Sequence, residues 1–193
     1  MHIRNVRPGD APALAAIYAP YVNETAISFA YDAPSAEGFL SNIEQTTAVY
    51  PWLVLEEDDG AIAGYCYASA FHVRKAYRFG AELSIYVRMD ARGKGYGTAL
   101  YDALEKCLKQ MNVLKLYTCI AVSTKTDVGH VGRASLIFHE KRGYTLVGRF
   151  PDSGYKFREW YDMVYMEKDI SPLPDEPAEL IPFRETAMFN ALG

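Results

Sequence analysis

Glu82-Leu83-Ser84-Ile85-Tyr86-Val87 leads into Asp90-Ala91-Arg92-Gly93-Lys94-Gly95-Tyr96-Gly97, and Thr98 then opens a stretch that ends at Met111. The first six residues alternate and are β-rich, which predicts a strand. The last stretch sets Leu100, Leu104, Cys107, Leu108 and Met111 on one helical face, with Asp102, Glu105, Lys106 and Lys109 opposite. A strand, a glycine-rich turn and an amphipathic helix make an anion site by construction. Glycine lets successive amides point inward, and the helix N-terminus adds its dipole. Arg92 and Lys94 bring positive charge to the turn, with Arg88 just upstream. Pyrophosphate is the natural guest. A Walker loop needs Gly-Lys-Ser/Thr in the right place, and none stands here. A dinucleotide fingerprint needs GxGxxG after the first strand of a βαβ unit, whereas these glycines run GxGxG deep in the chain. A tight turn without a ligand is the plain alternative; three alternating glycines with two flanking cations weigh against it.

Working outward, Ile3 to Val6 predicts a short strand, broken by Pro8-Gly9-Asp10. Asp10 can cap a helix carrying Leu14, Ile17, Tyr18 and Tyr21. A second helix starts near Pro34-Ser35, with Phe39, Leu40 and Ile43 at helical spacing. Trp52 to Leu55 and Ala61 to Ala70 flank an acidic turn that ends in Asp59-Gly60, a hairpin signal. Leu116 to Val122 reads as a strand and Ala134 to Lys141 as a short helix stopped by Gly143. Tyr144 to Arg149 and Trp160 to Glu167 read as two closing strands. Beyond Asp169, Pro172, Pro174, Pro177 and Pro182 make a poor helix or strand. Two units are therefore expected: a domain over 1–170 and a Pro-rich C-terminal tail over 171–193. The tail is either disordered or laid on a neighbouring surface through Ile181, Phe183, Met188 and Phe189.

The length of 193 residues favours one folded domain, able to bury roughly 70% of its unfolded surface. A 50% apolar and 23% charged composition is ordinary for a globular enzyme. The net charge of −4 argues against a dedicated nucleic-acid binder. No run approaches the roughly 18 apolar residues of a membrane span, and Met1 to Arg7 lacks the apolar stretch of a signal peptide. Cys66, Cys107 and Cys119 are widely spaced and form no CxxC pair, so they read as reduced packing residues. These features predict a cytoplasmic, metal-free protein with neither a nucleic-acid nor a membrane partner.

The Arg-Gly-x-Gly-x-Gly turn resembles the pyrophosphate loop of the GNAT N-acetyltransferases. Residues 1 to about 169 resemble the phosphinothricin N-acetyltransferase branch of that superfamily. The matching segments are Glu24-Thr25-Ala26-Ile27-Ser28-Phe29, Arg74-Lys75-Ala76-Tyr77 and Glu82 to Val87. Downstream come Ser135 to Tyr144, Gly154-Tyr155-Lys156 and Trp160-Tyr161-Asp162. The resemblance implies an α/β (α+β) fold, with a mixed, mostly antiparallel, splayed central sheet flanked by helices. It also implies acetyl-CoA in the split between the two central strands, a homodimer, and a small amine acceptor of the α-amino-acid type. The chain departs from the pattern at Gly132, where the family usually has Asn three residues before the serine matching Ser135. The preceding loop, Ser123 to His130, is long and is expected to border the site.

Acetyl transfer from a thioester needs no enzyme nucleophile. It needs positioning, removal of a proton from the amine, and a polarised carbonyl. Glu82 matches the family's proposed base and lies on a strand expected to be mostly buried; the alternative is a solvent-facing strand glutamate. The resemblance gives cofactor contacts to the backbone of Ile85, Tyr86 and Val87, to Arg92, Gly93, Lys94, Gly95, Tyr96, Gly97 and Thr98, and to Ser135. His139 matches a position discussed as catalytic in the branch, though it also suits a helix end that favours a cation. Tyr144 and Tyr155 are candidates for protonating the leaving thiolate or lining the pocket. Phe29, Arg74 and Tyr77 are the acceptor candidates: a guanidinium grips carboxylate or phosphinate in bidentate fashion, and aromatics form walls. Arg74 reads equally as a solvated loop cation. The expected activity is N-acetylation of phosphinothricin, methionine sulfoximine or a relative. The rivals are another amine (a polyamine, an aminoglycoside, a protein N-terminus) and a non-catalytic acyl-CoA-binding regulator.

Overall fold

In a computed structural model, which describes residues 1–123 and 130–193, the apolar runs become seven strands of one sheet. In chain order the elements are β1 (His2–Asn5), α1 (Ala11–Asn23), α2 (Ala36–Thr47), β2 (Trp52–Glu56), β3 (Ile62–Ala70) and β4 (Gly80–Val87). There follow α3 (Tyr96–Gln110), β5 (Lys115–Val122), α4 (Ala134–Lys141), β6 (Thr145–Lys156), β7 (Glu159–Asp169) and α5 (Ala187–Ala191). The sheet order is β1-β2-β3-β4-β5-β7-β6. Every neighbouring pair is antiparallel except β4–β5, which α3 connects as a parallel crossover. The mixed, mostly antiparallel sheet flanked by helices is the architecture the family resemblance implies.

Each sheet face carries its own core. The apolar stripe of α3 is fully buried through Leu100, Leu104, Leu108 and the following Met111, against Leu53, Leu55, Cys66 and Leu83. On the other face Leu14 and Ile17 of α1 and Phe39 and Ile43 of α2 cover Trp52, Val54 and Tyr65. Ser35 caps α2 by accepting from the Gly38 amide. The buried Arg4 guanidinium binds Asp10 with two nitrogens, at 2.8 and 2.9 Å, and Glu56 with a third, at 2.7 Å. It thereby fastens β1 to β2 and to the turn before α1.

One expectation needs correction, and one alternative is resolved. The strand expected to end at Arg149 continues to Lys156, and register shifts between Leu146/Gly148 and Phe150/Gly154 absorb Pro151 and its neighbours. A bulged edge strand tolerates proline because one side of its ladder is empty. The stretch 171–193 is laid on a neighbouring surface, that of the chain's own core. The Phe183 amide donates to Val49, that of Ile181 to Met111, and that of Asn5 to Leu192. Thr186 caps α5, and the Phe183 ring is only 3% exposed, in contact with the α3 core. Proline excludes regular structure locally, but these long-range hydrogen bonds and one buried ring supply the order.

Truncation of that ring should leave a cavity in the main core. Phe183→Ala is expected to destabilise the protein by about 3–5 kcal/mol in urea unfolding. A loss below about 1 kcal/mol would mean the segment is not part of the cooperative unit.

Candidate active site

β4 and β5 touch over three residue pairs only: Gly80–Lys115, Ala81–Leu116 and Glu82–Tyr117. Beyond them β4 stays with β3 as far as Val87, and β5 stays with β7 as far as Val122. The two strands therefore splay. Antiparallel ladders alternate, so the partner of one amide fixes the direction of the rest. The Arg88 amide donates to Ala63 and the Ile170 amide to Leu114. By that alternation Tyr86 spends its backbone groups on β3, whereas Ile85 on β4 and Cys119 and Ala121 on β5 turn theirs into the gap. Val87 also turns into the gap, where the Tyr21 hydroxyl takes its amide and returns a proton to its carbonyl.

A cavity of about 550 Å³ fills the gap. Ile85 to Val87 line it, as do the glycine turn and the first residues of α3, Thr118 to Ala121 of β5, and Ser135 and His139 of α4. Of the expected cofactor residues only Lys94 is absent from its wall. At the mouth, Gly93 and Gly95 have φ of +79° and +82°, the left-handed region that a side chain resists. Gly95 is the N-cap of α3 and offers no side chain to it, so the amides at the helix start face outward uncapped. Arg92 is exposed, with its guanidinium 5.0 Å above the Tyr21 ring. The other cations are engaged by carboxylates: Arg88 donates to Asp90 at 2.6 Å and to Glu57 at 3.1 Å, and Glu57 also lies 3.7 Å from the Lys94 ammonium and accepts from the Tyr96 hydroxyl at 2.7 Å.

His139 lies at the inner end of the same cavity. Its Nδ1 donates to the Ser135 carbonyl at 2.7 Å, which leaves Nε2 to accept from the Tyr101 hydroxyl at 3.1 Å. Burial pushes its pKa down to about 4, so the ring is neutral at physiological pH. The Tyr144 ring packs on His139 but stays outside the cavity wall, and Tyr155 is exposed on β6. Tyr101 was not singled out from the sequence, yet its hydroxyl sits at this cavity. Its only signal was a place on the inner face of α3, one turn after Gly97. The Tyr86 ring packs edge-on against Tyr18 and Tyr21, at 4.8 and 5.0 Å.

Glu82 occupies the vertex of the split, on the sheet face opposite α3, and does not itself line the cavity. Burial raises its carboxyl above the ordinary value, and the nearby His72 offsets part of that rise. Cys119, a cavity residue, and Tyr165 lie within its electrostatic reach. Beside it Phe71 stacks on Tyr117 at 3.8 Å, and Tyr165 approaches Phe71 edge-on at 6.3 Å. This aromatic wall escaped sequence reading because it joins three elements distant in the chain. Arg74 and Tyr77 are exposed on the adjoining loop, with Tyr77 against Phe71 and His72. The Arg74 guanidinium has no ion-pair partner among the described residues. Phe29 is half-buried in a separate cluster, against Tyr161 at 6.2 Å, and is not part of the cavity surface. Gly132 lines the cavity; of the loop Ser123 to His130, residues 124–129 lie outside the described residues.

A strand split, an uncapped glycine turn and a partly buried carboxylate at the vertex are the parts the sequence reading asks of an acyltransferase site. Residues 3–165 match the family model described as the acetyltransferase (GNAT) domain. The chain belongs to the GNAT acetyltransferases. It is similar to the phosphinothricin N-acetyltransferase of Streptomyces viridochromogenes, 29% identical over 178 residues that cover 92% of each chain. It is also similar to the L-methionine sulfoximine/L-methionine sulfone acetyltransferase of Pseudomonas paraeruginosa, 28% identical over 91% of this chain and 98% of the relative. Among solved structures it resembles a GNAT superfamily phosphinothricin acetyltransferase from Sinorhizobium meliloti in complex with acetyl-CoA. The TM-score is 0.85 and the identity 29%, over 94% of this chain and 96% of that one.

Gly95→Asp would force a side chain into the left-handed region and place a negative charge at the uncapped amides. Affinity for coenzyme A should fall by about a hundredfold in calorimetric titration. Unchanged affinity would remove the turn from ligand binding.

Proposed function

We propose that this protein transfers an acetyl group from acetyl-CoA to the amine of a small amino-acid-like acceptor, of the phosphinothricin or methionine sulfoximine type. The observation that carries this reading is the polarity of the split. An uncapped, glycine-lined helix start with a free Arg92 lies at one end, and a partly buried Glu82 lies at the other. The names of the relatives supply the acceptor class. The pyrophosphate fits the α3 amides and Arg92, and the amide-bearing arm of the cofactor fits the edge groups of Ile85, Cys119 and Ala121. That fit resembles the addition of a short strand to each side of the gap. Ser135 and the neighbouring turn of α4 close the cofactor side. His139 holds the Tyr101 hydroxyl in place beside the cavity.

The chemistry needs few groups. The amine nitrogen attacks the thioester carbon, the new C–N bond forms, and the C–S bond breaks. The ammonium proton passes to Glu82, directly or through water, and the thiolate leaves to be protonated as coenzyme A. The Ile85 amide polarises the carbonyl. Arg74 takes the acceptor's carboxylate or phosphinate, while Tyr77 and Phe29 belong to the aromatic surroundings of that end. A thioester is already activated, so the transfer asks for no metal. The exposed apolar row of the β6 edge strand, Leu146, Val147 and Phe150, supports a homodimer. No helix among the described residues is long and apolar enough to cross a membrane, and the need for acetyl-CoA favours the cytoplasm.

A base works ionised, and burial holds the Glu82 carboxyl above its usual range. The value of kcat/KM should therefore fall as pH drops through that raised value. Glu82→Gln should lower kcat by about 10²–10⁴-fold and abolish that acid limb, with acetyl-CoA affinity unchanged. Equal turnover in the variant across the pH range would remove Glu82 from the mechanism. The acceptor class is read by thiol release against phosphinothricin, methionine sulfoximine, free amino acids, spermidine, an aminoglycoside and a short peptide. Saturable release with the first two is expected. Release with a polyamine, aminoglycoside or peptide alone would replace the acceptor, and acetyl-CoA binding without release would favour the regulator.

A further inference from the structure

Lys156 ends β6 and is 4% exposed, an unusual place for an ammonium. Its Nζ donates to the carbonyls of Val22 at 2.6 Å, Thr25 at 3.1 Å and Ser28 at 2.7 Å. Three donors meet three acceptors, and the Val22 carbonyl lies in the last turn of α1, where the helix dipole is negative. The segment gathered in this way is part of the site. Tyr21 and Ile27 line the cavity, and Tyr21 also caps Val87 at the end of β4. Other contacts hold the same segment to the same hairpin. The Tyr31 hydroxyl donates to the Tyr155 carbonyl, and the Phe29 ring lies so close over Gly154 that a Cβ there would come within 2.1 Å of it. From the far side the Ala26 amide donates to the His130 carbonyl, and His130 stacks on Phe157 at 3.9 Å.

We infer that Lys156 is a positioning residue for the acceptor: from the β6–β7 hairpin it holds residues 22–28 as the wall of the cavity beyond the split. The inference rests on the acetyltransferase reading for its kinetic effect and on the contacts alone for its structural one. The carbonyls of three non-helical or helix-end residues have few competing partners, so loss of the ammonium releases all three together. Among the described residues no hydrogen bond joins Lys156 to the glycine turn, and Tyr21, which lies under Arg92, is held by its own bonds to Val87, so the effect is expected in the acceptor half.

The test uses the full chain with Lys156→Met, which keeps the length of the side chain and removes its donors. The acceptor KM should rise by about tenfold or more, with kcat within about threefold and acetyl-CoA affinity unchanged. Amide hydrogen exchange over residues 22–28 should speed up, while α3 stays protected. An unchanged acceptor KM, or an equal loss of acetyl-CoA affinity, would overturn the inference. If Lys156→Met does not fold, Gly154→Ala displaces Phe29 from the same clamp and should give the same split between KM and kcat; its absence would overturn the inference. If no amine is acetylated by the wild type, faster exchange at 22–28 in either variant still supports the clamp, and equal exchange refutes it.

Discussion

Three residue pairs decide what this molecule can do. If the parallel ladder between β4 and β5 ran its full length, the sheet would close and leave neither a cavity nor free backbone groups. It stops after Glu82–Tyr117 because each strand follows its other neighbour: β4 is held to β3 over seven pairs, and β5 to β7 over eight. Buried backbone groups left without partners cost about 1–3 kcal/mol each, so a split of this kind is tolerated only where something satisfies them. At Val87 the protein supplies its own answer in the Tyr21 hydroxyl. At Ile85, Cys119 and Ala121 the groups face the space a ligand would fill. The split is at once the fold's irregularity and its candidate binding site.

The charges are arranged along this split and not across it. Positive character gathers at the mouth, from helix amides and Arg92. Glu57 keeps Arg88 and Lys94 from crowding the same spot, binding them from the neighbouring acidic turn. At the vertex stands a partly buried carboxylate beside aromatic rings, and burial raises its pKa. Between them the walls are apolar or neutral, including a histidine held uncharged. On the proposed reading, an anionic cofactor and a cationic amine would enter from opposite ends without either meeting a competing charge in the middle.

The turn, β4 and α3 were legible in the sequence because their signals are local: glycine at every second position, strand alternation, and a helical stripe. Eleven of the expected residues, including Gly95, Ser135 and His139, share one cavity wall. The acceptor end was less legible. Phe71, Tyr117 and Tyr165 come from three elements, and Phe29 packs apart from them against Tyr161. The assignment of Tyr86 by its backbone missed a parity: neighbouring residues on one strand face opposite partners, and Tyr86 faces β3 where Ile85 faces the gap. For the segment after Asp169 composition left order and disorder open, since proline content says nothing about a Phe183 amide that finds Val49 across the fold. Local rules read elements; the contacts that complete a site are long-range.

Lys156 shows how such a contact can be worth its desolvation. Burying an ammonium is unfavourable, and its pKa is lowered accordingly. A carboxylate partner would neutralise it but would fix only one point. Three carbonyls fix a stretch of backbone, from the last turn of α1 to Ser28. The negative end of the helix dipole supplies part of the counter-charge. Replacement by an apolar side chain would fill the same space, yet leave those carbonyls buried and unmatched. The residue therefore does what hydrophobic packing cannot: it orients an irregular loop that has no ladder of its own. Because it sits on β6, the strand with the exposed apolar edge, any partner seated on that edge would bear on the geometry of the acceptor wall through one side chain.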